Sequence, residues 1–140
     1  MTVRRLDHVA FPANDIDAML AFYTAIGFSV DDRMAPLMTS VCCGDMKLNL
    51  HHPRAWQSAK FDLRGPAAVP GCGDVCMVWD GSETDLEAML STASVEVIEG
   101  PVERVGGRDA GSATGTSRYI RDPDGNLLEF IIYPTADKAG

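Results

Sequence analysis

The sequence predicts an α+β fold: two β-α-β-β-β modules forming a curved mixed sheet around a cup. Three observations carry this. Leu6-Asp7-His8-Val9-Ala10-Phe11 followed by Asp15-Ile16-Asp17-Ala18-Met19-Leu20 is echoed by Gly73-Asp74-Val75-Cys76-Met77-Val78 followed by Asp85-Leu86-Glu87-Ala88-Met89-Leu90. The halves also close alike, Gly44 to Pro53 and Gly125 to Pro134 each reading as a Gly-initiated strand stopped by proline. The length of 140 residues suits one domain able to bury a core. Each repeat then needs its twin to cover its apolar face, which decides the residues that meet. The expected organisation is a single domain, 1–140, with module one at 1–53, a linker at 54–71 and module two at 72–135.

Arg4 to Phe11 is the first strand, broken by Pro12-Ala13-Asn14. Asn14 or Asp15 can cap the next helix. From Ile16 to Ile26 apolar residues recur at helical spacing, and Gly27 ends the run as a left-handed cap. Phe28 to Met34, Leu37 to Cys43 and Met46 to His52 read as three strands. The linker holds Pro53, Pro66 and Pro70 and lacks periodicity. In module two, Asp74 to Trp79 is a strand and Ser82 to Ala93 a helix, Ser82 and Asp85 approximating a capping box. Val95 to Ile98 reads as a strand. Pro101 to Thr116, with Gly106, Gly107, Gly111 and Gly115, reads as a loop or flap carrying Arg108. Ser117 to Arg121 and Leu127 to Tyr133 are strands joined by Asp122-Pro123-Asp124-Gly125-Asn126, a strong hairpin turn. The tail, Thr135 to Gly140, is expected to fray.

A net charge of -8 argues against a nucleic-acid partner, which needs a basic surface. No apolar run approaches a membrane span. The strand starts so near Met1 that no signal peptide is expected, and a cytoplasmic location follows. The four cysteines lack the paired knuckles of a structural zinc site and read as buried or half-buried free thiols.

Side chains on a strand alternate faces. Val9 and Phe11 suit the helix side of the first strand, leaving His8 toward the cup. Val75, Met77 and Trp79 likewise leave Asp74, Cys76 and Val78 toward it. Leu128, Phe130 and Ile132 leave Glu129 with Leu127, Ile131 and Tyr133. A carboxylate within an apolar strand is costly unless a cation or donors meet it. His8, Asp74 and Glu129 are therefore expected on a common surface.

These residues resemble a known family. Leu6-Asp7-His8-Val9-Ala10-Phe11, the Phe22-Tyr23…Gly27-Phe28 helix exit and Arg121-Asp122-Pro123-Asp124-Gly125-Asn126-Leu127-Leu128-Glu129-Phe130 are similar to the vicinal oxygen chelate superfamily. That superfamily holds glyoxalase I, fosfomycin-resistance enzymes, extradiol dioxygenases and bleomycin-resistance proteins. Gly44-Asp45-Met46-Lys47-Leu48-Asn49-Leu50-His51, Pro70-Gly71 and Glu99-Gly100-Pro101-Val102-Glu103-Arg104 resemble its glyoxalase-domain-containing protein 5 group. The resemblance implies a metal-binding cup with ligand positions at His8, Leu48, Asp74 and Glu129. Leu48 cannot ligate, which leaves three; related enzymes usually place His where Asp74 stands.

One imidazole and two carboxylates favour a divalent ion, Mn, Fe or Mg, with Zn or Ni as alternatives. The expected activity is a glyoxalase-like lyase acting on a small substrate with two neighbouring oxygens, Glu129 serving also as the catalytic group. An extradiol-type dioxygenase and a metal-free ligand-binding protein of the bleomycin-resistance kind are the alternatives. A homodimer is expected from the resemblance and from exposed sheet edges. Without a metal, His8 can bond within the core, Asp74 can cap the Gly71-Cys72-Gly73 turn and Glu129 can pair with an arginine. His51, His52, Arg118 and Tyr133 are the candidate substrate contacts. Counting along the strand puts His52 with Leu48 toward the cup, whereas the resemblance favours His51. Either Arg118 or Tyr119 should face inward, and an inward Arg118 suits an anion. Tyr133 lines the mouth or packs as a core aromatic.

Overall fold

The computed structural model describes residues 1–135; the tail expected to fray lies beyond them apart from Thr135. The chain divides into two compact units. Met1–Gly73 with Asp122–Asn126 makes unit one, and Asp74–Arg121 with the chain from Leu127 makes unit two. The segment read as a linker thus belongs to unit one. Each unit carries one four-stranded mixed sheet, so the architecture is the α+β arrangement of repeated β-α-β-β-β modules.

Unit one contains β1 (His8–Pro12), α1 (Ile16–Ala25), β2 (Ser29–Asp31), β3 (Met38–Cys43), β4 (Met46–His51) and the short α2 (Pro53–Trp56). Its sheet order is β1-β4-β3-β2, parallel only between β1 and β4. Asp15 caps α1 by accepting from the Ala18 backbone N–H at 3.0 Å. Gly27, at φ 105°, lets the chain leave the helix in a conformation that costs other residues strain. Met19 and Tyr23 are the fully buried face of α1, and Tyr23 meets Phe22 and Phe28 edge-on. Residues before His8 join no strand, so β1 is shorter than its sequence pattern. The strand expected over Phe28 to Met34 shrinks to β2 because Arg33 folds back: its backbone N–H, Nε and Nη2 all donate to the Asp31 carboxylate.

The turn Asp122-Pro123-Asp124-Gly125-Asn126 is the polar heart of unit one. Asp122 is 5% exposed and Asn126 fully buried. Asp122 Oδ1 accepts from the backbone N–H groups of Asp124 and Asn126, both at 3.0 Å. Its Oδ2 accepts from Tyr23 Oη at 2.8 Å and Asn126 Nδ2 at 2.7 Å. Asn126 Oδ1 in turn accepts from Gly73 N at 2.7 Å, and Asp124 from Asn14 N at 2.9 Å. Burial, then the neighbouring Asp122 carboxylate, pushes the Tyr23 hydroxyl pKa far above its ordinary value, so Tyr23 remains a donor.

Unit two contains β5 (Asp74–Val78), α3 (Glu83–Thr92), β6 (Glu99–Val105), a single turn α4 (Arg108–Gly111), β7 (Thr114–Arg121) and β8 (Leu127–Ile132). Its sheet order is β5-β8-β7-β6, parallel only between β5 and β8. The capping box at α3 is complete: Ser82 Oγ accepts from Asp85 N at 3.0 Å and the Asp85 carboxylate accepts from Ser82 N at 3.2 Å. A cap of this kind contributes about 1 kcal/mol.

The third strand of this module differs from expectation. It runs Glu99–Val105, inside the stretch read as a glycine-rich loop, and not over Val95 to Ile98. Ser94 sits at φ 57° and the Val95 N–H still bonds Leu90 O, so the chain there is leaving α3. Pairing starts as Ile98 N donates to Tyr119 O at 2.9 Å. Gly100-Pro101, which reads as a breaker, occupies a bulge between Glu99 and Val102. A side chain at Gly100 would collide with the Ser117 carbonyl, which is why glycine stands there.

Candidate functional site

Paired residues on neighbouring strands project to the same face. In unit one, Val9 and Phe11 pair with Leu48 and Leu50, which are buried. His8, Ala10 and Pro12 pair with Lys47, Asn49 and His51. The face of His8 therefore carries Lys47, Asn49 and His51, and Leu48 lies on the opposite face. Reading His52 and Leu48 on the face of His8 is corrected by this register: counting within one strand fixed the alternation but not the side. His52 Nε2 lies 2.8 Å from Thr39 Oγ1. Burial lowers the His52 pKa, and Asp17 of α1 opposes that. His51 is 8% exposed, meets Phe61 edge-on at 5.2 Å, and has a pKa lowered first by burial and then by Arg64. It is therefore a neutral ring at pH 7.

His8 is half-exposed, and its Nδ1 lies 2.7 Å from Asp7 Oδ1. The hydrogen bond from His8 holds the Asp7 carboxyl below its usual pKa. An ionised carboxylate can only accept, so Nδ1 is the donor in this contact and Nε2 is left for another partner.

In unit two, Asp74, Cys76 and Val78 of β5 share one face, and Cys76 pairs with Glu129 of β8. Glu129 pairs in turn with Tyr119 of β7. Two carboxylates and one thiol thus occupy a single face, as parity implied. Ser117 Oγ donates to Glu129 Oε1 at 2.5 Å, fixing that carboxylate. The Cys76 thiol is pushed up to about 12, first by desolvation and then by the charges of Glu129 and Asp74. It touches solvent and still stays protonated at neutral pH. Cys43 and Cys72 are also exposed and Cys42 is intermediate, so the free thiols are less buried than expected.

Arg118 faces the other way. It pairs with Phe130, is 3% exposed, and its Nη2 donates to Glu83 at 2.9 Å and Glu87 at 2.7 Å, both on α3. The inward member of the pair is Tyr119, whose hydroxyl accepts from Arg104 Nε at 3.0 Å. The helix acids decide this orientation. Tyr133 is 2% exposed beneath Arg108, whose guanidinium carbon sits 4.7 Å from the ring centre, and it packs with Ala113 and Ile131.

The donor types suit a hard divalent ion: Asp74 and Glu129 offer oxygens, His8 a nitrogen, and the protonated Cys76 no thiolate. Among the described residues, however, no three His, Cys, Asp or Glu side chains are gathered as a metal ion requires. Sequence reading missed Asp7, Lys47, Ser117 and Arg104. Asp7 was signalled by adjacency to His8, and Lys47 by sharing the strand parity of Asn49 and His51.

Residues 5–130 match the model of the Glyoxalase/Bleomycin resistance protein/Dioxygenase superfamily. The chain belongs to this superfamily. Within it, the chain is 34% identical over 138 residues to the glyoxalase domain-containing protein RDO1 of Mycosarcoma maydis, covering 97% of this chain and 72% of that protein. It is also 34% identical over 140 residues to virulence protein STM3117 of Salmonella typhimurium, covering 95% and 87% respectively. The crystal structure of STM3117 superposes with a TM-score of 0.81 at 32% identity, over 96% of this chain and 100% of that one. A lactoylglutathione lyase from Agrobacterium tumefaciens shares the superfamily fold at TM-score 0.68 and 23% identity, over 94% and 96% of the two chains. No helix of this superfamily member, among the described residues, is long and apolar enough to cross a membrane.

Proposed function

We propose that the chain is a divalent-metal-dependent enzyme with glyoxalase-like lyase activity toward a small substrate bearing two neighbouring oxygens. His8, Asp74 and Glu129 would supply the donors for such an ion. The observation that carries this reading is the Asp7–His8 pair at 2.7 Å. A carboxylate on Nδ1 sets the tautomer and leaves Nε2 free, as is usual behind a metal-bearing imidazole. The shared face of Asp74 and Glu129 supports it, as does the name of RDO1.

When bound, a divalent ion supplies Lewis acidity to the substrate oxygens as negative charge develops. The remaining work falls to this chain's side chains. Glu129 is the group that takes and returns a proton, its Oε1 accepting from Ser117 Oγ. His51, a neutral ring on the face of His8, contacts the substrate. Purified protein is expected to hold close to one divalent ion per chain by elemental analysis. His8→Ala and Glu129→Ala are expected to lose it while keeping the circular dichroism of the parent. Metal-free protein with activity indifferent to chelators overturns the reading. Oxygen uptake with a catechol assigns it to the dioxygenase branch instead.

A second reading is a metal-free binding protein of the bleomycin-resistance kind. The observation favouring it is that no three candidate donors are gathered among the described residues. The same elemental analysis separates the two. A homodimer belongs to either reading, since closed two-fold pairs are the commonest soluble assemblies. Light scattering at micromolar concentration is expected to give twice the chain mass of 15.1 kDa, and a monomer overturns it.

A further inference from the structure

A recess of about 290 Å3 opens on unit one, lined by Asp31, Arg33, Met34, Met38, Ser40 and Lys47. Its position follows from register. Lys47 is the pairing partner of His8, Met38 of His51 and Ser40 of Asn49. The recess therefore lies on the face of the sheet that carries His8 and His51. We infer that this recess binds a small 2-hydroxy carboxylate with an apolar or aromatic body, with Lys47 anchoring its carboxylate. The use of the recess as a substrate subsite rests on the reading of that face given above; the binding itself does not.

Charge comes first. Asp31 and Arg33 cancel, since the guanidinium makes two hydrogen bonds to the carboxylate, at 2.9 and 2.5 Å. Those bonds hold the Asp31 carboxyl far below its usual pKa. Among the described residues the Lys47 ammonium has no hydrogen bond or ion pair of its own, and the walls carry a net single positive charge. Asp7 and Asp31 both lie close enough to feel that charge, but they are engaged by His8 and Arg33.

The hydroxyl and the body follow from the other walls. Ser40 Oγ spends its proton on Asn49 Oδ1 at 2.7 Å, which leaves its lone pairs as acceptors. A substrate hydroxyl next to the carboxylate suits them. Met34, 60% exposed, and Met38 give a polarisable wall that favours aromatic or apolar groups. A 2-hydroxy acid also presents two neighbouring oxygens.

The test uses mandelate and its neutral isostere mandelamide, titrated calorimetrically into chelator-treated wild-type protein. Mandelate is expected to saturate one site, with mandelamide roughly tenfold weaker, the scale of one charge-assisted bond. Lys47→Met, which keeps the stem and removes the charge, is expected to lower mandelate affinity roughly tenfold and leave mandelamide unchanged. Lys47→Arg is expected to retain mandelate, which excludes a folding defect at the position. Equal binding of the two probes, no saturable mandelate binding, or an unaffected Lys47→Met each overturns the inference. Lys47-dependent mandelate binding by metal-free protein upholds the recess whatever the elemental analysis gives. His8-dependent metal without mandelate binding upholds the metal reading and sinks the recess.

Discussion

Asp122→Ala is expected to destabilise the protein by about 3–5 kcal/mol, as removing one side of a buried, hydrogen-bonded charge does. Four donors converge on this carboxylate. Alanine leaves Tyr23 Oη and Asn126 Nδ2 without their acceptor at fully buried positions. The loss is a large share of the roughly 5–15 kcal/mol that holds a domain folded. Tyr23→Phe removes one donor and leaves three, so its cost is expected near 1 kcal/mol. Urea denaturation of the two variants checks both. A loss under about 1 kcal/mol for Asp122→Ala would show that the turn is only a turn.

Removing the acids from Arg118 is expected to cost more than removing the arginine. Glu83 and Glu87 stand one turn apart on α3, and both accept from Nη2 of a side chain that is 3% exposed. The double variant Glu83→Ala with Glu87→Ala leaves a buried guanidinium unpaired, at about 3 kcal/mol or more. Arg118→Met fills similar volume, and the half-exposed glutamates return to water, so its cost is expected within about 1 kcal/mol. Arg118 Nη1 already lacks a partner among the described residues, so the arginine carries part of that penalty now. Chemical denaturation of both variants gives the order, and a costlier Arg118→Met would refute the argument.

The sequence was most legible where one period dominates. β1, β5 and β8 each carry one clean alternation and α1 and α3 one helical period, and the repeat placed β1 with β5 and α1 with α3. β6 was hidden because Gly100-Pro101 carries the chemistry of a loop while serving as a bulge. Val95 to Ile98 misled because β-propensity depends on context, and cross-strand pairing begins only at Ile98. At the candidate site, parity put Asp74 and Glu129 on one face. It could not choose between His51 and His52, since the choice needs the offset between β4 and β1. Arg118 and Tyr119 posed the same problem, settled by acids on α3 some thirty positions earlier in the chain. Asp122 read as a turn former, and nothing local reveals that Tyr23, 99 positions away, donates to it.

The placement of Asp122–Asn126 within unit one bears on whether the first repeat is self-sufficient. The duplication is written along the chain at Gly73, yet the physical seam does not fall there. A chain ending at that glycine would lack the turn that satisfies Asn14, Tyr23 and Gly73. Cutting the chain there would therefore strand unit one without part of its own polar interior.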